Sequence, residues 1–287
     1  MDIKPLMIDL YCGLGGWAQG GMAEGYFCVG FDIERHRYPR MLRPDGELAQ
    51  KSPVGGNKRN ASGESVFKER TCQLRDTMKQ AEIIEGEWDE YPAQLVLQSV
   101  LTLHGRQFKD AALIVASPPC QEFSYMAMPW SRAKAIAADY RSGARDTKQL
   151  TALFDACFRI QREAIEAAGH FIPLVVENVR GAQKWVGRSR FNFGSFYFWG
   201  DVPALMPMGK NAPKFILDDI RAGQRREVAG IYENGIKAGG DWFGSGANCS
   251  PQRQAGSQST ARKAAAAQVA KIPIEVSTWI ARCFKPI

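Results

Sequence analysis

The sequence is poor in the patterns that mark metal sites, disulfide frameworks and membranes. It has three histidines and seven scattered cysteines, an odd number with no CxxC pair, so neither a zinc site nor a set of disulfides is expected. No apolar run reaches the length of about 18 residues that a membrane span needs. No basic flank with an apolar core marks a secretory signal at the N-terminus. We therefore expect reduced thiols, a cytoplasmic location and no membrane partner.

Charge of one sign is only in mild excess. The 37 Lys and Arg residues against 30 Asp and Glu give a formal charge of +7, which favours a polyanionic partner through counterion release. Of the 287 residues, 45% are hydrophobic, which is enough to bury a large core. We expect a monomer with one large domain and a smaller second region.

Near the N-terminus, the pattern predicts a strand, a tight turn, a helix and a second strand. The apolar run 6–10 ends in a glycine cluster at 13–16, and a helix-compatible stretch follows it. The next apolar run, 27–31, ends at Asp32. A βαβ unit of this kind is typical of a parallel sheet.

Two later strands also end in polar residues. The apolar run 112–116 leads into Ser117-Pro118-Pro119-Cys120, and the run 174–176 leads into Glu177-Asn178. Helical spacing of apolar residues predicts a crossover helix over 147–169. The whole pattern predicts an α/β fold with a doubly wound, mostly parallel sheet, and ligands bind such sheets at the carboxyl ends of the strands.

These strand ends carry four strings that, in this order, resemble the DNA cytosine-5 methyltransferase family. They are Asp9-Leu-Tyr-Cys-Gly-Leu-Gly-Gly-Trp17, Phe31-Asp-Ile-Glu34, Ser117-Pro-Pro-Cys-Gln121 and Val176-Glu-Asn-Val179. The resemblance covers residues 6–180 and, weakly, the C-terminal end, and the chain is similar to short phage and prophage members. It implies a Rossmann-like methyltransferase fold, S-adenosylmethionine as methyl donor and double-stranded DNA as partner.

The resemblance makes Cys120 a nucleophile and Glu177 a proton donor. Carbon 5 of cytosine is a poor nucleophile, so a thiolate must add at carbon 6 while ring nitrogen 3 is protonated. A carboxyl directly after a buried strand is expected to have a raised pKa, which suits proton donation. The alternatives are a cysteine that packs as a small hydrophobe and a structural glutamate. Asn178 is expected to position the loop around Cys120 or to serve a plain turn.

The remaining expected contacts are to the cofactor. Glycines let the backbone approach a ligand closely, Asp32 is expected to accept hydrogen bonds from ribose hydroxyls, and Ile33 to pack on adenine. The alternatives to these cofactor contacts are that Asp32 caps a helix and that Tyr11 and Trp17 pack in the core. Ser99 stands where the family has an acid, for which Asp89 is a possible substitute. The full expected set is Tyr11, Gly13, Gly15, Gly16, Trp17, Asp32, Ile33, Ser99 and Pro118.

The C-terminal part departs from the family. Its Gln-x-Arg-x-Arg strand, whose arginine holds the cytosine carbonyl, is matched incompletely at 224–228, so Arg226 and Arg188 are both candidates, with Arg190 as a further one. Its closing Gly-Asn-Val stretch is replaced by residues 270–273. We expect a catalytic and cofactor-binding domain over 1–185 with an insertion at about 40–75. A small target-recognition region over 186–261 and C-terminal helices over 262–287 are expected to follow.

Three other functions fit the sequence less well. An amino-methyltransferase acting on cytosine N4 or adenine N6 would share Ser117-Pro-Pro but needs an aromatic residue where Cys120 stands. An RNA cytosine methyltransferase would use the same chemistry, and a catalytically inactive DNA-binding relative would keep the fold. The segment 121–148 is expected to act as a mobile lid over a flipped base, or else to pack as part of the core.

Overall fold

The computed structural model describes residues 4–41, 83–120, 123, 130–207, 263, 267 and 270–286. The chain divides into two compact units. The first comprises Met1–His36, Glu90–Gly209 and Lys271–Ile287, and the second comprises Arg37–Asp89 and Lys210–Ala270. The first unit thus continues beyond residue 185, and most of the insertion expected at 40–75 lies outside the described residues.

The described elements alternate between strands and helices. The strands are β1 (Leu6–Leu10), β2 (Phe27–Asp32), β3 (Arg37–Met41), β4 (Ile83–Glu90), β5 (Gln94–Leu97), β6 (Ala111–Ala116), β7 (Leu174–Asn178), β8 (Phe191–Phe193) and β9 (Phe196–Gly200). The helices are α1 (Gly16–Ala23), α2 (Trp130–Ser142), α3 (Thr147–Ala168), α4 (Gln183–Val186) and α5 (Ile274–Cys283). In the described part of the chain, no helix is both long and apolar enough to cross a membrane.

A seven-stranded sheet in the order β5-β2-β1-β6-β7-β9-β8 forms the centre of the first unit. Strands β5, β2, β1, β6 and β7 are parallel, and β9 pairs antiparallel with both β7 and β8. The strand order reverses at β1, with the chain running outward in one direction through β2 and β5 and in the other through β6 and β7. The predicted doubly wound, mostly parallel α/β fold is confirmed.

Helices cover both faces of this sheet. On one face, α3 places Phe154, Ile160 and Ala164 in the same apolar core as Ile8 and Leu10 of β1. The helix begins where the Asp146 carboxylate accepts a hydrogen bond from the Lys148 amide at 2.8 Å, which satisfies one of the free amides of the first turn. It ends at Gly169, which has φ 71°, the left-handed conformation that glycine adopts without strain.

The other face is covered by α1 and α5. Close packing here depends on glycine, since a side chain added at Gly20 would overlap Ser277 of α5 and one at Gly21 would overlap Met7 of β1. At the end of the two helices, Arg282 and Glu24 form an ion pair of 2.7 Å. The C-terminal segment is therefore an integral layer of the first unit.

In the second unit, the described elements are β3 and β4, besides the single residues 263, 267 and 270. These strands form a separate two-stranded sheet. The Arg37 guanidinium lies 4.3 Å from the centre of the Trp88 ring, a cation–π arrangement. Asp89, considered as a substitute for the family's acid, is on β4 in this unit.

Candidate functional site

Five strand ends meet at one edge of the sheet. The register pairs Leu10↔Phe31, Leu10↔Ala116 and Ala116↔Val176 show that the carboxyl ends of β1, β2, β6 and β7 are aligned along the same edge of the sheet. Strand β5 joins them through Asp32↔Leu97. This edge includes the strand-order reversal at β1, where open α/β sheets bind ligands.

Asp32 lies at the centre of a small polar cluster on this edge. Its Oδ2 accepts a hydrogen bond from the Gly13 amide at 3.0 Å, and its Oδ1 accepts one from the Ile33 amide at 2.8 Å. His36 Nε2 is 3.8 Å from Oδ2. Burial raises the pKa of the Asp32 carboxyl, but the interaction with His36 and the Gly13 amide outweighs burial, so the pKa lies below its ordinary value. The carboxylate is therefore ionised and has lone pairs left for further hydrogen bonds.

The three glycines expected at the cofactor site differ in the space that surrounds their α-carbons. At Gly13, which has φ 49°, an added Cβ would meet no atom within 4 Å. At Gly15 it would overlap Tyr91 and Pro92, and at Gly16 the backbone of Ile272. Gly15 and Gly16 thus allow close packing within the protein, while Gly13 faces open space where a ligand can approach the backbone.

Tyr11 and Trp17 are both held by hydrogen bonds to other elements. The Tyr11 hydroxyl donates to the Leu153 carbonyl of α3 at 2.8 Å, and burial raises the pKa of this hydroxyl. Trp17 is 2% exposed, and its Nε1 donates to Ser117 Oγ at 3.0 Å. Trp17 therefore ties the start of α1 to the end of β6 and lies within the core.

Ile33 and Ser99 lie beyond the ends of β2 and β5. The Ile33 side chain is 75% exposed, which leaves an apolar surface beside Asp32. Ser99 precedes a short 3-10 turn and uses its carbonyl to accept hydrogen bonds from the Thr102 amide and hydroxyl. Exposed Leu97, at 56%, adds a second apolar side chain at the same edge.

Cys120 follows β6 in a loop that is tied to β7. Asn178 Nδ2 donates a buried hydrogen bond of 2.9 Å to the Pro118 carbonyl, and the Cys120 carbonyl accepts one from the Phe123 amide at 3.0 Å. Cys120 is half-buried and is not part of a disulfide. The Asn178 side chain thus contacts the loop around Cys120, and the contact is to the Pro118 carbonyl.

Glu177 lies on β7 next to Asn178, and it is 8% exposed. It pairs with Phe198 of the neighbouring antiparallel strand β9, whose ring packs against Trp17 at 6.1 Å between centroids. Glu177 is therefore a nearly buried carboxyl group at the end of β7, next to the residue that contacts the loop of Cys120.

None of the three arginine candidates, Arg188, Arg190 and Arg226, is brought to this edge by the described residues. Arg188 lines a cleft of about 560 Å³ between α3 and the β8–β9 hairpin, and the lining includes neither Cys120 nor Glu177. Arg226 lies outside the described residues. The described structure therefore identifies no arginine for the cytosine carbonyl.

Asp9 is a residue whose environment was not anticipated. It is fully buried in β1, and among the described residues neither its carboxylate oxygens nor the Tyr91 hydroxyl has a partner within hydrogen-bond geometry. Burial, and then the charge of Asp32, raise the pKa of Asp9 well above its ordinary value, although the Ala18 amide and the Tyr91 hydroxyl approach closely enough to offset part of this. A single acid inside the apolar run Leu6–Leu10 was the sequence signal for it.

The segment expected to be a lid is described in part. Phe123 and Tyr140 are buried at 3% and 7% exposure, and Tyr140 packs edge-on against Trp185 at 5.5 Å. Residues 121, 122 and 124–129 lie outside the described residues. The described part of the segment thus packs against the first unit. Within the described ranges, no group of three or more His, Cys, Asp or Glu residues is arranged to hold a metal ion.

Comparison with known proteins gives limited similarity. No family model matches the chain, and no curated protein matches it. Among solved structures, a prophage-encoded protein of E. coli assigned as a DNA modification methyltransferase is 15% identical, with a TM-score of 0.30 over 62% of this chain and 33% of that one. S. pombe Dnmt2 methyltransferase is 13% identical, with a TM-score of 0.29 over 64% and 37%.

The Entamoeba histolytica methyltransferase EhMeth is 11% identical, with a TM-score of 0.28 over 65% of this chain and 41% of that one. The chain therefore spans between a third and about two fifths of the length of these three proteins. TM-scores below 0.5 do not establish a shared fold, and the fold described above follows from the strand order itself.

Proposed function

We propose that this protein is an S-adenosylmethionine-dependent DNA cytosine-5 methyltransferase. The observation that carries the proposal is the hydrogen bond from Asn178 Nδ2 to the Pro118 carbonyl, 2.9 Å long. It links two adjacent parallel strand ends, one leading to the thiol of Cys120 and the other carrying the carboxyl of Glu177. A thiol and an acid at neighbouring strand ends are the two groups that cytosine activation requires.

The residues at the ends of β1 and β2 fit the methyl donor. Gly13 faces open space, the Asp32 carboxylate keeps acceptor capacity for ribose hydroxyls, and the exposed Ile33 side chain offers an apolar surface to adenine. S-adenosylmethionine, when bound, supplies the methyl group as an electrophilic sulfonium. Adjacent strand ends would then hold the donor beside the target base.

Cys120 and Glu177 would act together on that base. The Cys120 thiolate adds to carbon 6 of cytosine while the Glu177 carboxyl donates a proton to nitrogen 3, which converts the ring into an enamine with a nucleophilic carbon 5. After carbon 5 has been methylated, loss of its proton and departure of the thiolate restore the aromatic ring. Because these atoms are inaccessible in a duplex, the target base must leave the base stack.

The structure favours this chemistry over amino methylation in one respect. An amino-methyltransferase stacks its target base on an aromatic side chain that follows the two prolines. The first aromatic residue after Pro119 is Phe123, which is 3% exposed and belongs to the apolar core. Its ring is therefore not available for stacking, whereas Cys120 is half-buried at the edge.

Product analysis tests the proposal directly. The full chain would be incubated with methyl-labelled S-adenosylmethionine and unmethylated duplex DNA of mixed sequence, with RNA in parallel, and the nucleosides separated after digestion. We expect label in 5-methyldeoxycytidine. Label in N4-methyldeoxycytidine or N6-methyldeoxyadenosine would replace the proposal with amino methylation, and label only in 5-methylcytidine would make RNA the substrate. DNA binding without any transfer would identify an inactive relative.

A further inference from the structure

The cleft between α3 and the β8–β9 hairpin combines cationic side chains with an aromatic wall. Three arginines line it, Arg162 on α3 and Arg188 and Arg190 before β8. Its volume of about 560 Å³ is in the range of sites for small organic ligands. None of the three guanidinium groups has an ion-pair or hydrogen-bond partner among the described residues.

Arg188 and Arg190 lie in a segment that hydrogen bonds anchor to α4 and β9. Gly187 accepts a hydrogen bond from Trp199 Nε1 at 2.9 Å, and the Arg190 amide donates to the Phe198 carbonyl at 2.8 Å. Between them, the Ser189 amide and hydroxyl both donate to Gln183 Oε1 at 3.2 Å. Arg188 and Arg190, on either side of Ser189, line the cleft, whereas Ser189 does not.

The carboxylates of the cleft, Asp155 and Asp201, accept hydrogen bonds from other groups of the protein. Asp201 Oδ2 accepts hydrogen bonds from Gln161 Nε2 at 2.7 Å and from the Leu174 amide at 2.9 Å. Asp155 Oδ2 accepts one from the Thr151 hydroxyl at 2.7 Å. The three guanidinium groups outnumber these two carboxylates, so the cleft keeps an excess of positive charge and donors for an anion.

An aromatic surface lies beside these donors. Trp199 and Phe154 form a buried floor, with ring centroids 5.4 Å apart in an edge-to-face arrangement. Phe158, half-buried and one turn along α3 from Phe154, lies on the wall at 5.5 Å from the Phe154 ring. Arginine next to an accessible aromatic ring is the combination that binds the phosphate and the base of a nucleotide.

We propose that this cleft is a nucleotide-binding site separate from the edge that carries Cys120. Arg188 and Arg190 bind the phosphate, with Arg162 opposite them on α3, and the base packs against Phe158. The ligand is either a free nucleotide or one nucleotide unit of a nucleic-acid strand, since both present the same phosphate and ring. The site requires no methyl transfer, so its existence is independent of the function proposed above.

The test is equilibrium binding to the full chain without methyl donor, using deoxycytidine monophosphate, inorganic phosphate and a labelled twelve-nucleotide single strand as separate probes. The double variant Arg188→Gln/Arg190→Gln is expected to bind the nucleotide or the strand at least tenfold more weakly. Arg106→Gln removes an exposed arginine that does not line the cleft and should change binding less than twofold. Phe158→Leu should weaken the nucleotide but leave inorganic phosphate unchanged.

The probes also separate the two sources of the ligand. If the unmodified chain binds the monophosphate and the double variant does not, a free nucleotide is a sufficient ligand. If the double variant loses affinity only for the single strand, the ligand is a nucleotide unit of a nucleic acid. The proposal is overturned if the double variant binds both probes as well as the unmodified chain, or if Arg106→Gln weakens them equally. It is also overturned if neither probe binds, or if phosphate alone binds as tightly as the monophosphate.

Discussion

The side chain of Asn178 donates a hydrogen bond to the backbone carbonyl of Pro118 across two adjacent parallel strands, at 2.9 Å. The same side chain accepts a hydrogen bond from the Val179 amide at 2.8 Å, so its orientation is fixed on both sides. Since Cys120 follows Pro118 by two residues and Glu177 precedes Asn178, this bond sets the spacing of the proposed nucleophile and acid.

Replacing Cys120 with serine is expected to abolish methyl transfer, because a hydroxyl does not form the nucleophile that adds to carbon 6 at neutral pH. Binding of S-adenosylmethionine should change less than twofold, as the thiol acts on the base. The measurement is turnover with labelled donor together with calorimetric donor binding. Cys283→Ser, at an exposed cysteine of α5, is the control and should keep full activity.

The same mechanism predicts that duplexes with 5-fluorocytosine at the target position trap the protein. Fluorine cannot leave carbon 5 as a proton, so the adduct to Cys120 persists through denaturing electrophoresis. Substantial turnover by Cys120→Ser, or no trapped species with an active protein, would contradict covalent catalysis.

For Glu177→Gln we expect turnover to fall by about a hundredfold or more, the usual effect of removing a general acid. DNA affinity should stay within twofold, because protonation of nitrogen 3 matters chiefly in the transition state. Single-turnover kinetics and DNA titration measure the two effects. The exposed Glu166 of α3 provides the matched control Glu166→Gln. A loss that appears in binding alone would make Glu177 a structural acid.

For Asp32→Asn we expect about a tenfold rise in the Michaelis constant for S-adenosylmethionine, with turnover near normal at saturation. The amide loses the charge that strengthens hydrogen bonds to ribose, and charge-assisted hydrogen bonds contribute about 1.5–3 kcal/mol. Asp110→Asn, at an exposed site, controls for the loss of a carboxylate. An unchanged Michaelis constant would move the ribose contact to another residue.

Two glycines of the first turn, Gly13 and Gly16, are expected to respond differently to alanine. Gly13→Ala should fold, with a loss of about 1–2 kcal/mol for a left-handed non-glycine residue, and should bind S-adenosylmethionine at least tenfold more weakly. Gly16→Ala should lose about 2–3 kcal/mol of stability, because its methyl group overlaps the Ile272 backbone. Urea unfolding and donor titration measure both variants.

Gly169→Ala is the matched control for Gly13→Ala. Gly169 has φ 71° and no atom within 4 Å of an added Cβ, so it carries similar backbone strain at the far end of α3. We expect a similar loss of stability with unchanged donor affinity. Equal donor affinity in Gly13→Ala and Gly169→Ala would remove Gly13 from the donor site.

How far the sequence predicts this structure depends on the range of the contacts involved. Strands β1, β2, β6 and β7 and helix α3 were predicted, because apolar runs and the helical spacing of apolar residues over 147–169 are local signals. Strands β8 and β9 were not, since they have only three and five residues and the place of β9 in the sheet depends on its antiparallel pairing with β7. Because β8 and β9 belong to the central sheet, this sheet includes residues beyond the domain boundary expected at residue 185.

In the candidate site, too, the features with local sequence signals were predicted and those that depend on distant contacts were not. Sequence placed Asp32, Cys120 and Glu177 at strand ends, because the end of an apolar run is visible in the sequence. It did not distinguish Gly13 from Gly16, since only the fold brings Ile272 against Gly16. The cleft around Arg188 was also not predicted, because α3 and the β8–β9 hairpin form it together.

Asp9→Asn is expected to make the protein more stable at neutral and alkaline pH. Burial raises the pKa of Asp9 above its value in the unfolded chain, so the folded state binds the proton more tightly. The folded state therefore loses stability as the pH rises from about 4, the ordinary aspartate pKa, through the raised pKa of the folded protein. Asparagine carries no charge at any of these pH values and avoids that loss.

The measurement is the free energy of unfolding by urea at several pH values between 4 and 8, for the unmodified chain and for Asp9→Asn. We expect the variant to be more stable by about 1 kcal/mol at pH 8, near the lower end of the cost of an unpaired buried polar group, with a smaller difference towards pH 4. Asp110→Asn, at an exposed residue, should show no such trend. A variant that is less stable at pH 8 would mean that the Asp9 carboxylate is charged and stabilising, held by the Ala18 amide and the Tyr91 hydroxyl.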